Sequence, residues 1–132
     1  MEDHPQGLVI PALDDRDYRF FRLDNGMKAL VVSDPDADMA AAALDVHVGQ
    51  FSDPSDREGL AHFLEHMLFL GTDAFPDIDA YRDFIQSHGG SSNAATGQEH
   101  TSYHFKVEHG HLEGALDRFS AFFTSPRLDR EY

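Results

Sequence analysis

At 132 residues, 41% of them hydrophobic, the chain has apolar content enough for one ordinary domain whose core needs no crosslinks. It contains no cysteine, which excludes disulfides and thiolate ligation, so any metal must be held by His, Asp or Glu. Its 24 acidic against 10 basic residues give a formal charge of -14, which repels nucleic-acid phosphates and anionic membrane surfaces, and no apolar run reaches the roughly 18 residues of a membrane span.

Residues 1–17, rich in Pro and Asp, read as an N-terminal arm, and Met1-Glu2-Asp3-His4-Pro5 has neither the basic nor the apolar segment of an export signal. Phe20-Phe21-Arg22-Leu23 leads into Asp24-Asn25-Gly26, a turn signal that predicts a hairpin with Lys28-Ala29-Leu30-Val31-Val32-Ser33 as its second strand. Ala42, Leu44, Val46 and Val48, interleaved with Asp45 and His47, alternate with period two and predict another strand. Ser55-Asp56-Arg57-Glu58 has the form of a capping box and predicts a helix running from there to Leu70, ended by Gly71. On it, Leu60, Phe63, Leu64, Met67 and Leu68 form the expected buried stripe, while His62, Glu65, His66 and Phe69 form a second stripe.

A second helix is expected from Asp77, after Pro76, burying Ile78, Tyr81, Phe84 and Ile85 and closing on Gly89-Gly90. Strands around residues 92–96 and 101–107, joined by a turn at Gly97, make a second hairpin. The last helix places Leu112, Ala115, Leu116, Phe119, Phe122 and Phe123 on one stripe and stops before Pro126. This order of elements predicts an α+β domain, a mostly antiparallel sheet with helices packed on one face.

The chemistry lies in His62-Phe63-Leu64-Glu65-His66. On a helix this spacing sets His62 and His66 one turn apart on one face, with Glu65 beside them. Two imidazoles so placed reach a shared ion at the roughly 2.0–2.1 Å that zinc takes, and Glu65 stays free to act on a water there. Two bare histidines at this spacing are commonly surface residues; Glu65 and the apolar flank favour the metal reading. H-x-x-E-H is the inverted zinc motif of the inverzincins.

With Gly59-Leu60-Ala61 before that motif and Met67-Leu68-Phe69-Leu70-Gly71-Thr72 after it, the chain resembles the pitrilysin/insulysin branch of the M16 metallopeptidases. Arg22-Leu23-Asp24-Asn25-Gly26, Ser33-Asp34-Pro35, Ser52-Asp53-Pro54, Gly89-Gly90-Ser91-Ser92-Asn93-Ala94 and Leu112-Glu113-Gly114-Ala115-Leu116-Asp117-Arg118-Phe119 resemble that branch too, in the same order. The resemblance implies a zinc metalloendopeptidase in which His62 and His66 are zinc ligands and Glu65 is the general base toward the attacking water. It implies that Asn93 and Ala94 belong to an edge strand pairing with the backbone of a peptide substrate. Ala95 departs from the bulky aromatic common in the family, so no side-chain preference near the scissile bond carries over.

The resemblance also implies a third ligand, a Glu roughly 75 residues beyond His66 and therefore past Tyr132. Residues 18–132 are accordingly expected to be the N-terminal part of an M16 catalytic domain, incomplete at the C-terminus. Such a piece would bind zinc poorly and be inactive alone, needing the remainder of the polypeptide or a partner half-domain. Phe119, Phe122 and Phe123 are expected to leave apolar surface exposed and promote self-association. By the same resemblance the enzyme is soluble, in a bacterial periplasm or the cytoplasm. The remaining histidines, including the pairs His100/His104 and His109/His111, read as surface or hydrogen-bonded residues, and nothing in the spacing of Glu99, Glu108 or Glu113 favours them as substitute ligands. Two other readings are a non-catalytic M16-like structural or binding module and an α+β binding domain with an incidental motif.

Overall fold

The structure, a computed structural model, describes residues 9–129. Residues 1–8 of the expected arm and residues 130–132 at the C-terminal end lie outside that range. The chain divides between Ala37 and Asp38 into two compact units.

The first unit is the expected hairpin, β1 (Asp17–Arg22) and β2 (Lys28–Ser33), antiparallel from Asp17↔Ser33 to Arg22↔Lys28. Its loop closes through the Leu23 N–H on the Met27 carbonyl at 2.8 Å, and the Asn25 side chain accepts from the Met27 N–H at 3.0 Å. Ahead of β1, the Asp14 carboxylate accepts from the Arg16 guanidinium at 2.6 and 2.8 Å and from the Tyr18 hydroxyl at 2.7 Å. These donors, the guanidinium foremost, hold the Asp14 carboxyl well below the usual carboxylate range.

The second unit carries the core. Its sheet has the order β3–β5–β4, built from β3 (Met39–Val46), β4 (Ser91–Thr96) and β5 (Thr101–Glu108), all antiparallel. Period-two alternation sends Tyr103, Phe105 and Val107 of β5 to one face, where Ala42, Leu44 and Ala94 of the flanking strands join them. Onto that face pack α2 (Ala80–Ser87), through Tyr81 and Ile85, and α3 (Leu112–Thr124), through Ala115, Phe119 and Phe122. The opposite face, with Asn93, His104 and Lys106, is exposed. The α+β class and the placement of these helices on one face agree with the sequence pattern.

Several expectations need correction. The strand expected around residues 42–48 ends at Val46, because the Val48 N–H turns back to the Val46 carbonyl and a 3-10 turn, Gln50–Ser52, follows. The zinc-motif helix, α1, runs only from Leu60 to Leu68, and the Ser55/Glu58 capping box does not form. Asp53 caps the helix instead, its two carboxylate oxygens accepting from the N–H groups of Gly59 at 2.7 Å and Ala61 at 2.9 Å. Gly59 enters the helix at φ +90°, a left-handed backbone that favours glycine, and so bends the chain back toward Asp53. The second helix begins at Ala80, its Asp83 N–H bonding the Asp79 carbonyl, and Ile78 before it stays exposed.

Phe119 and Phe122 are core residues and Phe123 is half-buried, so they do not form an exposed apolar surface for self-association. Exposed apolar area sits instead on α1, at Leu60, Phe63 and Leu64, which the sequence pattern had assigned to the buried stripe. Among the described residues no helix is long and apolar enough to cross a membrane.

Candidate metal centre

Helix α1 presents His62 and His66 on one exposed face, with their Nε2 atoms 3.1 Å apart and their ring centroids separated by 4.7 Å. Two ligands at zinc–imidazole distance in a tetrahedral shell lie roughly 3.3 Å apart, so the pair has nearly the opening that one zinc needs. Glu65 adds a third donor, all three atoms falling within 4.8 Å of one another, the one such group among the described residues. Two imidazoles with no thiolate suit zinc, and the carboxylate beside them stands where it could act on a water at the ion.

The inward side of this helix includes Glu65. It is only 7% exposed and lies one turn before Leu68, so the inward stripe is Glu65, Met67 and Leu68, not Leu60, Phe63 and Leu64. The buried carboxylate needs a donor, and Thr96, the last residue of β4, provides it: its Oγ1 donates to Glu65 Oε2. Oε1 is left without a side-chain partner among the described residues. Beneath the pair lies Tyr103, whose phenol is pushed up by burial and then by the Glu65 charge. Thr96 was missed in the sequence, although the alternation of β4 places it on the same face as Ala94, where a hydroxyl must find a partner.

A cleft of 470 Å³ opens beside the motif, lined by Glu65, His66, Phe69, Tyr81 and Arg82 and by β4 from Ser91 to Ala94. Asn93 and Ala94 therefore stand in the same cleft as the motif. Their strand pairs with β5 through Asn93↔His104 and Ala94↔Tyr103 and is the edge of its sheet among the described residues. Asn93 points to the exposed face and Ala94 toward the core. On the cleft floor Phe122 packs edge to face against Phe69 and Tyr81 at centroid separations of 5.0 and 4.7 Å, Phe69 and Tyr81 lie tilted at 6.0 Å, and the Tyr81 hydroxyl bonds Ser92 Oγ at 2.7 Å. Burial raises the Tyr81 phenol to about 12, against the Ser92 hydrogen bond, which lowers it.

Residues 28–132 match the insulinase family, peptidase family M16. The chain is 54% identical over 121 residues to the A-factor-processing enzyme of Saccharomyces cerevisiae, covering 92% of this chain and 12% of that protein. It is 57% identical over 116 residues to the insulin-degrading enzyme of Mus musculus, covering 88% and 11%. The crystal structure of pitrilysin superposes with a TM-score of 0.89 at 43% identity, over 92% of this chain and 13% of that one. The chain thus spans about an eighth of the length of the relatives it matches.

Proposed function

Because the chain belongs to the insulinase family of peptidases, M16, we propose that it carries the zinc-binding helix and the substrate-pairing strand of a zinc metalloendopeptidase acting on peptides and small polypeptides. The observation that supports this most directly is the pairing of the His62 and His66 Nε2 atoms at 3.1 Å beside a buried Glu65 whose carboxylate is held by Thr96.

In this reading the Nε2 atoms of His62 and His66 would hold one zinc ion, which would supply Lewis-acid activation of a water. The third protein ligand comes from outside these 132 residues. Glu65 is the general base: Thr96 pins Oε2, so Oε1 is the oxygen that accepts the proton of the attacking water. The edge of β4 at Asn93 and Ala94 offers backbone N–H and C=O groups to an extended peptide, which would add as a further strand along the cleft. The family resemblance supports a soluble enzyme of a bacterial periplasm or the cytoplasm, and the 132-residue chain alone, with two imidazoles, would hold zinc weakly and be inactive.

The test is the full-length protein and three variants. His62→Ala or His66→Ala should lower zinc content and abolish peptide hydrolysis. Glu65→Gln should retain zinc and lose about 10²–10⁴-fold in turnover. Full zinc occupancy in a histidine variant would overturn the ligand assignment. Zinc binding without hydrolysis in the unaltered full-length protein would favour the non-catalytic module instead.

A further inference from the structure

A second group of imidazoles lies outside this centre, brought together by the sheet. His47 follows the last residue of β3 and His100 precedes the first residue of β5, and the register Val46↔Thr101 sets the two histidines opposite each other. His47 Nδ1 is 3.0 Å from His100 Nε2, with ring centroids 4.4 Å apart, nearly the separation of the His62/His66 pair. Behind His100, its Nδ1 bonds Asp45 Oδ2 at 2.7 Å.

We propose that His47 and His100 form a second binding site for a borderline divalent transition metal ion, such as Zn²⁺, Ni²⁺ or Cu²⁺, with Asp45 as the residue that orients His100. An Asp carboxylate can only accept here, so His100 carries its proton on Nδ1 and presents a bare lone pair at Nε2. That is the arrangement in which a carboxylate, a histidine and a metal stand in line, and it fixes both ring orientation and tautomer. Without a cation, one proton between the facing nitrogens serves as the bridge. When a cation enters, that proton leaves His47 Nδ1 and His47 takes its proton on Nε2, so both facing nitrogens become ligands with no net change in charge on the imidazoles.

The frame is rigid enough to hold such a site. The Gln50 and Phe51 N–H groups donate to the carbonyls of Gly97 at 3.0 Å and Gln98 at 2.8 Å, and Thr101 Oγ1 donates to the Val48 carbonyl at 2.9 Å. Gly49 is in backbone contact with the facing turn: a Cβ there would lie 2.5 Å from the Gly97 carbonyl oxygen. The ligands are therefore preorganised on two segments that cannot separate without breaking this contact. The side chains of Asp45 and His100 are about half exposed, so a hydrated ion can reach them and water can fill the remaining coordination positions. Imidazole nitrogen selects Zn²⁺, Ni²⁺ and Cu²⁺ over Mg²⁺ and Ca²⁺, and the net charge of -14 favours any cation. A bound ion would clasp the end of β3 to the start of β5.

The experiment uses the full-length protein with His62→Ala and His66→Ala, so that the centre on α1 no longer contributes, and titrates Ni²⁺, Zn²⁺ and Mg²⁺ by calorimetry. One Ni²⁺ or Zn²⁺ per chain should bind and Mg²⁺ should not. Adding His47→Gln or His100→Gln, either of which keeps a hydrogen-bonding side chain, should weaken binding at least tenfold, and Asp45→Asn should weaken it about 10–100-fold. In the unaltered protein, Cu²⁺ should broaden the ring resonances of both His47 and His100, a readout that does not depend on the variants folding. A background protein that takes up no cation, glutamine variants that bind as well as the background, or Cu²⁺ that leaves both rings sharp would each overturn the site. Failure of the His62/His66 assignment would show only in the zinc content and hydrolysis of the single-site variants.

Discussion

Replacing Thr96 with Val removes the hydroxyl that holds Glu65 while keeping the shape of the side chain, so the change opens no cavity. Glu65 is 7% exposed, and among the described residues Thr96 is its one side-chain hydrogen-bond donor. A hydrogen bond to a charged group contributes about 1.5–3 kcal/mol net. Water in the adjoining cleft replaces part of it, which sets the expected loss at about 1.5–2 kcal/mol, a factor of roughly 10–30 in the folding equilibrium. The freed carboxylate also rotates, so hydrolysis by the full-length protein should fall about 10–100-fold, the usual range when a hydrogen bond that orients a catalytic or ligating group is lost. Thr96→Ser keeps the hydroxyl and should restore most of both properties. Urea denaturation measures the first effect and peptide turnover the second. A Thr96→Val protein with the unaltered urea midpoint, or a Thr96→Ser protein damaged as badly as Thr96→Val, would refute the claim that this hydroxyl positions Glu65.

Phe122 is 2% exposed and wedged among Phe69, Tyr81, Phe119 and Phe123, so Phe122→Ala should cost about 3–5 kcal/mol in chemical denaturation; a loss under about 1 kcal/mol would mean that the core collapses into the gap. Asp53→Ala removes two acceptors from the N-terminus of α1 and should destabilise by about 1–2 kcal/mol, whereas Ser55→Ala, at the capping box that does not form, should be near neutral. Equal effects of the two substitutions would restore Ser55 as the cap. Tyr81, raised to about 12, keeps its proton in the fold at pH values where an unfolded tyrosine, near 10, has lost it. The unfolded state then binds fewer protons, so the stability is fully present below about pH 10 and is lost as the pH rises toward 12. Tyr81→Phe should move alkaline unfolding to higher pH, and an unchanged alkaline midpoint would show that Tyr81 is not among the groups driving it.

Local pattern carried a large part of this protein. Period-two alternation marks β3, the Asp24-Asn25-Gly26 signal marks the first hairpin and the Gly97 turn the second, and the spacing of His62 and His66 settles that they share one helical face, because each depends only on the geometry of a few consecutive residues. Which face of α1 turns inward was not legible. Its apolar residues outnumber its buried positions, and the side that turns inward carries Met67, Leu68 and Glu65, the last hydrogen-bonded by Thr96 31 residues away, while Phe63 is 58% exposed. The cap followed the same logic, since Asp53 reaches the helix only because Gly59 turns left-handed between them. The His47/His100 pair, 53 residues apart, arises from strand register alone. Short-range spacing determines what a segment can present; whether a donor meets its carboxylate, or one imidazole another, is decided by the register and packing that tertiary structure imposes, because those contacts join segments whose separation in sequence holds no periodic signal.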